Sequence, residues 1–232
     1  MKHLDNTAFL QELGIGPRWR LRAQTKDIST AYVPIALPAN IEHMDWPQLT
    51  QAVHDCQACP RAATRQQAII SDGDSDGDIQ TDWLFITGAP DAQQDQEGSL
   101  RAGSSARLLD NMLAALDLRL GQQVYLTSAV KCHAESLSVS VAELAMCHAY
   151  LARQIVLRQP KVIVALGAQA AATLLSIDAN TALATARGSV HRYADVPVIV
   201  THAPADVLQT PAAKAQVWAD LCLARQAHDS IS

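Results

Sequence analysis

Two rhythms of apolar residues alternate along most of this chain. Short, nearly continuous apolar runs fall at 81–87 (TDWLFIT), 123–130, 161–166 (KVIVAL) and 196–200 (VPVIV). Runs of that length, bounded by turn residues, predict strands, and the unbroken ones predict a parallel sheet covered on both faces. Between them lie helical patterns: one entered from Asp45, one at 104–116, and others at 140–158, 168–175 and 211–226. In the 104–116 helix, Leu108, Leu109, Met112, Leu113 and Leu116 share the inward face, with Ser104 or Ser105 as cap. In the last helix the apolar positions are Val217, Trp218, Leu221 and Leu223. Strands alternating with helices predict an α/β fold in three layers, a central, mostly parallel sheet with helices on both faces. The domain is expected to span 45–228, with a short tail at 229–232.

Residues 1–44 have a different texture. Phe9, Leu10 and Leu13 fall on one face of a short helix that Gly14 and Gly16-Pro17 end. Arg18-Trp19-Arg20-Leu21-Arg22 follows, alternating basic and apolar side chains. A Trp flanked by arginines has the composition of an interface anchor, so this segment is expected to bind a partner. Residues 23–44 lack a sustained period and read as a linker with one short strand at 32–35.

The cysteines add candidate chemistry. Cys56 and Cys59 form a C-x-x-C pair before Pro60, while Cys132 and Cys147 have fourteen residues between them. Four cysteines in that order can hold one tetrahedral metal ion or one iron–sulfur cluster. Cys222 lies in a helical pattern and is read as a spare core thiol. An odd cysteine count, no long apolar run and a mixed N-terminus predict a cytoplasmic protein with no membrane segment.

A net charge of −5 argues against affinity built on coating many phosphates. The stretch SDGDSDGD at 71–78 imitates the first half of a calcium-binding loop through Asp72, Asp74, Asp76 and Gly77. Trp83 stands where the closing Glu would be, so the stretch is read as a solvent-exposed loop. Ligands of such sheets bind beyond the carboxyl ends of the strands. The loops at 88–103, 128–132 and 202–208 leave those ends, with Asp91, Asp95, Arg101, Ser128, Lys131, His202 and Asp206 as polar candidates.

The succession CxxCP, a strand ending in GAP, a helix with LL, VYLTSAVKC, PKVIVALG and THAPADVL resembles the family 4 uracil-DNA glycosylases over about residues 54–224. The resemblance implies the three-layer uracil-DNA glycosylase fold and a 4Fe-4S cluster on Cys56, Cys59, Cys132 and Cys147. By spacing alone, a structural zinc site on the same cysteines stays open. The family's catalytic words differ here. Gly88 stands where GEAPG has its Glu, with Asp91 nearby, and Arg101 stands where a Phe stacks on the base. Ser128 replaces the Asn that reads the uracil edge, and Ala203 replaces the His that stabilises the leaving base, with His202 one residue early. Base excision needs flipping, stacking, edge reading and charge stabilisation, so four changes together imply a catalytically degenerate site.

The segment FLQELGIGPRWRLR is similar to the opening of the psi subunit of bacterial DNA polymerase III. That likeness implies docking on clamp-loader subunits through Phe9, Leu13, Arg18, Trp19, Arg20 and Arg22, with weak DNA contact at most. The readings are therefore a psi-like accessory subunit on a glycosylase scaffold, an active repair glycosylase for uracil or another damaged base, and a stand-alone DNA-binding iron–sulfur protein.

Overall fold

Successive side chains of a strand point to opposite faces of its sheet, and here both faces are apolar. Leu84 and Ile86 enter one core while Trp83 and Phe85 enter the other, and Ile163 and Val162 divide in the same way. A sheet apolar on both sides must be covered on both sides, which fixes the three layers.

The computed structural model describes residues 36–72, 81–133 and 139–231. Its sheet contains β1 (Ser71–Asp72), β2 (Trp83–Thr87), β3 (Val124–Ser128), β4 (Val162–Leu166), β5 (Val190–Tyr193) and β6 (Val196–Thr201). The spatial order is β1-β3-β2-β4-β6-β5. The four middle strands are parallel, and β1 and β5 close the edges antiparallel. The middle strands therefore end on one edge of the sheet. One face is covered by α1 (Trp46–His54), α4 (Val141–Arg158), α5 (Ala168–Leu175) and α6 (Ala182–Ala186). The other is covered by α3 (Gly103–Ala114), α7 (Pro204–Gln209) and α8 (Lys214–Asp229), while the short α2 (Ala92–Glu97) lies in the loop after β2.

Local chemistry explains the helix starts. Asp45, Asp91 and Ser140 each cap a helix and are answered by Gln48, Gln94 and Glu143 three residues on, three reciprocal capping boxes. The start of α3 differs from expectation. Ala102 is the cap residue, without a side-chain bond, and Ser104 and Ser105 lie inside the first turn. Trp218, one of the apolar positions of the last helix, is 48% exposed. The buried stripe of α8 is Val217, Leu221 and Ala224, spaced by four and three, and Trp218 lies one residue off it.

Ile41 and Met44, within the stretch read as a linker, are buried in the core of the first face. Arg158, at the end of α4, is also buried there, its guanidinium 4.3 Å from the ring centre of Trp46 and 4.1 Å from that of Tyr125. Such cation–π stacking stabilises a charge that burial would otherwise penalise. Among the described residues no helix is long and apolar enough to cross a membrane. Phe9, Leu13, Arg18, Trp19, Arg20, Arg22, Asp74, Asp76 and Gly77 lie outside the described residues.

Candidate functional site

The distant cysteines meet. Cys56 and Cys59 follow the end of α1, and Cys59 precedes the turn Pro60–Ala63. Cys132 leaves the loop after β3, and Cys147 sits two turns into α4, placed by the Ser140 cap. All four line one small apolar pocket with Val53, Arg65, Lys131 and Tyr150. Burial pushes Cys147 up to about 12, and raises Cys59 and Cys132, with neighbouring thiols adding to the effect. Free thiols there are therefore neutral, and a thiolate set needs compensating positive charge. Arg65 supplies some, donating from Nη1 to Cys132 Sγ at 2.8 Å. Lys131 is fully buried beside them, its Nζ donating to Thr127 Oγ1 at 2.8 Å and to the Ser128 carbonyl at 2.6 Å. Burial pulls Lys131 down to about 7, against the opposing pull of Cys147 and Cys132. Among the described residues no three His, Cys, Asp or Glu side chains form a group that could hold a single metal ion. Cys222 is half-buried on α8, apart from this pocket.

A second cavity opens where the parallel strands end. It measures about 360 Å³ and is bounded by 87–91 after β2, 166–169 at the start of α5, and 203–206 at the start of α7. That volume falls within the range of small-molecule sites. Gly88, Asp91, Ala203 and Asp206 line it, as the strand-end argument requires. So do Arg61, His133 and Gln169, which no sequence pattern singled out. His133 immediately follows a cysteine, and its Nδ1 lies 2.9 Å from the Pro90 carbonyl. A carbonyl only accepts, so Nδ1 carries the hydrogen and, in the neutral ring, Nε2 is an acceptor with no partner among the described residues.

Other candidates are engaged elsewhere. Arg101 is exposed; its main-chain N–H donates to Asp72 at 2.9 Å and its guanidinium lies 3.7 Å from Asp110. His202 turns to α8, with Nε2 2.9 Å from Gln216 Oε1. The neighbouring Thr201 donates to Asp220 at 2.7 Å, and Arg187 binds both Asp220 and Gln216, so this polar clamp fixes the end of β6 against α8. Ser128 is fully buried at the end of β3, and its Oγ has no hydrogen-bond partner among the described residues. Asp95 is also buried, accepting from the main chain of Gln66 at 2.8 Å and Gln67 at 3.1 Å, which anchors a loop rather than facing the cleft.

Two close approaches shape the cleft wall. Gly167 has φ +90°, and a Cβ there would lie 2.9 Å from that of Ala203. At Gly88, a Cβ would lie 2.4 Å from Gln169 Oε1. The same oxygen accepts a hydrogen bond from the Ala89 main chain at 2.9 Å.

The family model of the uracil DNA glycosylase superfamily matches residues 75–222, which contain the whole cleft except Arg61. The chain belongs to that superfamily. Among curated proteins it is similar to the type-4 uracil-DNA glycosylase of Pyrobaculum aerophilum, with 29% identity over 187 residues, covering 78% of this chain and 93% of that protein. The type-4 enzyme of Archaeoglobus fulgidus is 28% identical over 74% of this chain and 87% of its own length. That of Thermotoga maritima is 31% identical over 53% of this chain. The superfamily assignment agrees with the fold, a four-stranded parallel core with its cleft at the strand ends.

Proposed function

We propose that this protein is a DNA-base glycosylase that receives an extruded base in the strand-end cleft and hydrolyses its N-glycosidic bond, with uracil as the first substrate to test. The observation that carries this reading is the cleft: a base-sized cavity lined by an apolar floor and by Asp91, His133, Gln169 and Asp206. The type-4 relatives lend it their chemistry.

In this reaction the bond from C1′ to the base nitrogen breaks, and its electron pair leaves with the base. Water then supplies hydroxyl to C1′ and a proton to the departing base. Carboxylates beside the sugar favour the developing cation and take up the proton of water. Asp91 and Asp206 are the acidic side chains of the cleft. His133 brings a ring already oriented by Pro90, so no reorganisation is needed to direct its remaining nitrogen.

Cys56, Cys59, Cys132 and Cys147 are the proposed ligands of a 4Fe-4S cluster. An all-thiol set, half-buried at Cys56 and buried at the other three, with Arg65 and Lys131 alongside, suits thiolate ligation of such a cluster. When bound, the cluster contributes electron-rich iron–sulfur ligation that ties the loops after α1 and β3 to α4.

The deciding experiment is single-turnover excision from a single-stranded oligonucleotide carrying uracil, with cluster-loaded protein in excess. Abasic product that Asp91→Asn or Asp206→Asn reduces at least tenfold supports catalysis. No product, or product indifferent to both substitutions, overturns it. The placement of Arg101 and His202 outside the cleft favours a second reading, a catalytically degenerate scaffold acting as a psi-like subunit of the clamp loader. Its partner rests on the sequence of residues 1–44, and a pull-down with clamp-loader subunits, repeated with Trp19→Ala, tests it.

A further inference from the structure

Gln169 is the second residue of α5, held on a rigid helix start where β4 hands over to the cleft. Its side chain lies directly against Gly88 and occupies the space where a side chain on that residue would begin, with Oε1, Cδ and Cβ at 2.4, 3.2 and 3.4 Å from an ideal Cβ. The orientation of its amide is determined. The Ala89 main-chain N–H only donates, so the atom 2.9 Å from it is the carbonyl oxygen, and the NH2 end is the one left over. That Nε2 makes no hydrogen bond among the described residues, and the half-buried side chain lines the cleft. The cleft wall therefore offers a fixed, neutral amide whose unengaged end is a donor.

We infer that Gln169 is the base-selecting residue of this cleft, its Nε2–H donating to a carbonyl oxygen on the base edge that faces α5. The proposal rests on the reading of the cleft as a base pocket. A donor matches the keto oxygen of uracil or hypoxanthine and meets a second donor at the exocyclic amino group of cytosine or adenine. Each of those pairs differs at that exocyclic group and in whether the neighbouring ring nitrogen carries a hydrogen; the amide reads the first of these and so separates a deaminated base from its parent. The selected class is thus deaminated, keto-bearing bases. Since Ala89 fixes Oε1, the amide cannot flip to accept from an amino group without abandoning the main-chain bond.

The test is binding, which does not require turnover. Fluorescence anisotropy is measured with single-stranded oligonucleotides that differ only in one central base: uracil, cytosine, hypoxanthine or adenine. Each carries 2′-fluorine at that nucleotide to block N-glycosidic cleavage. Wild-type protein is expected to prefer the keto member of both pairs by about tenfold, the effect of one buried hydrogen bond gained or lost. Gln169→Ala is expected to abolish the preference, and Gln169→Glu, which turns the donor into an acceptor, to reverse or level it. A wild-type protein that binds all four alike, or a preference that survives in Gln169→Ala, overturns the inference. Keto preference lost with Gln169 but without any excision leaves base selection standing and removes only the catalytic reading. A merely structural Gln169 would weaken all four oligonucleotides together.

Discussion

Arg61 Nε and Glu143 Oε1 lie 2.8 Å apart although 82 positions separate them in the chain. The contact joins the turn after Cys59 to the first turn of α4, which carries Cys147, so it ties together two of the segments that bear the thiols. Arg61 also lines the cleft, and its side chain is only 3% exposed. Removing Arg61 leaves the half-buried Glu143 carboxylate held by Ser140 but without its cation. Arg61→Ala is expected to cost about 2 kcal/mol, read as a lowered denaturant midpoint. Arg61→Lys should recover only part of the loss, because the ammonium lacks the fork of donors.

Glu143 gives this contact a pH dependence. Burial works to raise its pKa, but hydrogen bonds from Ser140 and the charge and hydrogen bond of Arg61 outweigh it, and the net direction is downward from the ordinary 4.5. A carboxylate held low in the folded state contributes stability above its unfolded pKa and loses it as pH falls through the folded value. The stability gap between wild type and Glu143→Gln should be constant near neutrality and close below about 4.5. A gap that widens on acidification would contradict this assignment.

Cysteine substitutions should separate ligand from spare. Cys132→Ser and Cys147→Ser are expected to lose visible absorbance and bound iron and sulfide together, with a large drop in thermal midpoint. Cys222→Ala should retain all three, since Cys222 lies outside the shared pocket. Zinc at stoichiometric level, without sulfide, in anaerobically purified protein would replace the cluster by the mononuclear alternative.

Gly88 and Gln169 should behave non-additively. Gly88→Ala forces a Cβ to within 2.4 Å of Gln169 Oε1, which must swing away and release the Ala89 N–H. The expected cost is about 1–3 kcal/mol, as for other overpacked sites. In the background of Gln169→Ala the same substitution should cost much less, a coupling that thermal denaturation of the four variants measures.

Much of this organisation is legible in the chain because β2, β3, β4 and β6 are buried on both faces and appear as unbroken apolar runs. The edge strand β5 is not, since Val190–Tyr193 alternates exposed and half-buried positions and contains His191 and Arg192. Ile41 and Met44 escape notice for a related reason, two apolar residues in a polar stretch having no period to betray them. Strand ends locate the cleft and lead to Asp91 and Asp206, while Gly88 and Ala203 are reached through the family's motifs. Side-chain direction does not follow. His202 and Ala203 are adjacent, yet the clamp of Thr201, Asp220, Arg187 and Gln216 draws the imidazole to α8 while Ala203 stays in the cleft. Gln169 and His133 become visible only when three separate loops are folded together.

The contact between Gly88 and Gln169 also bears on how such a protein changes over generations. A single mutation that placed a carboxylate at position 88 would meet an occupied space, and loss of Gln169 alone would leave a hole and an unpaired main-chain donor. Each single change disturbs the wall of the cleft, so the two positions constrain one another and a carboxylate at 88 requires a simultaneous change at 169.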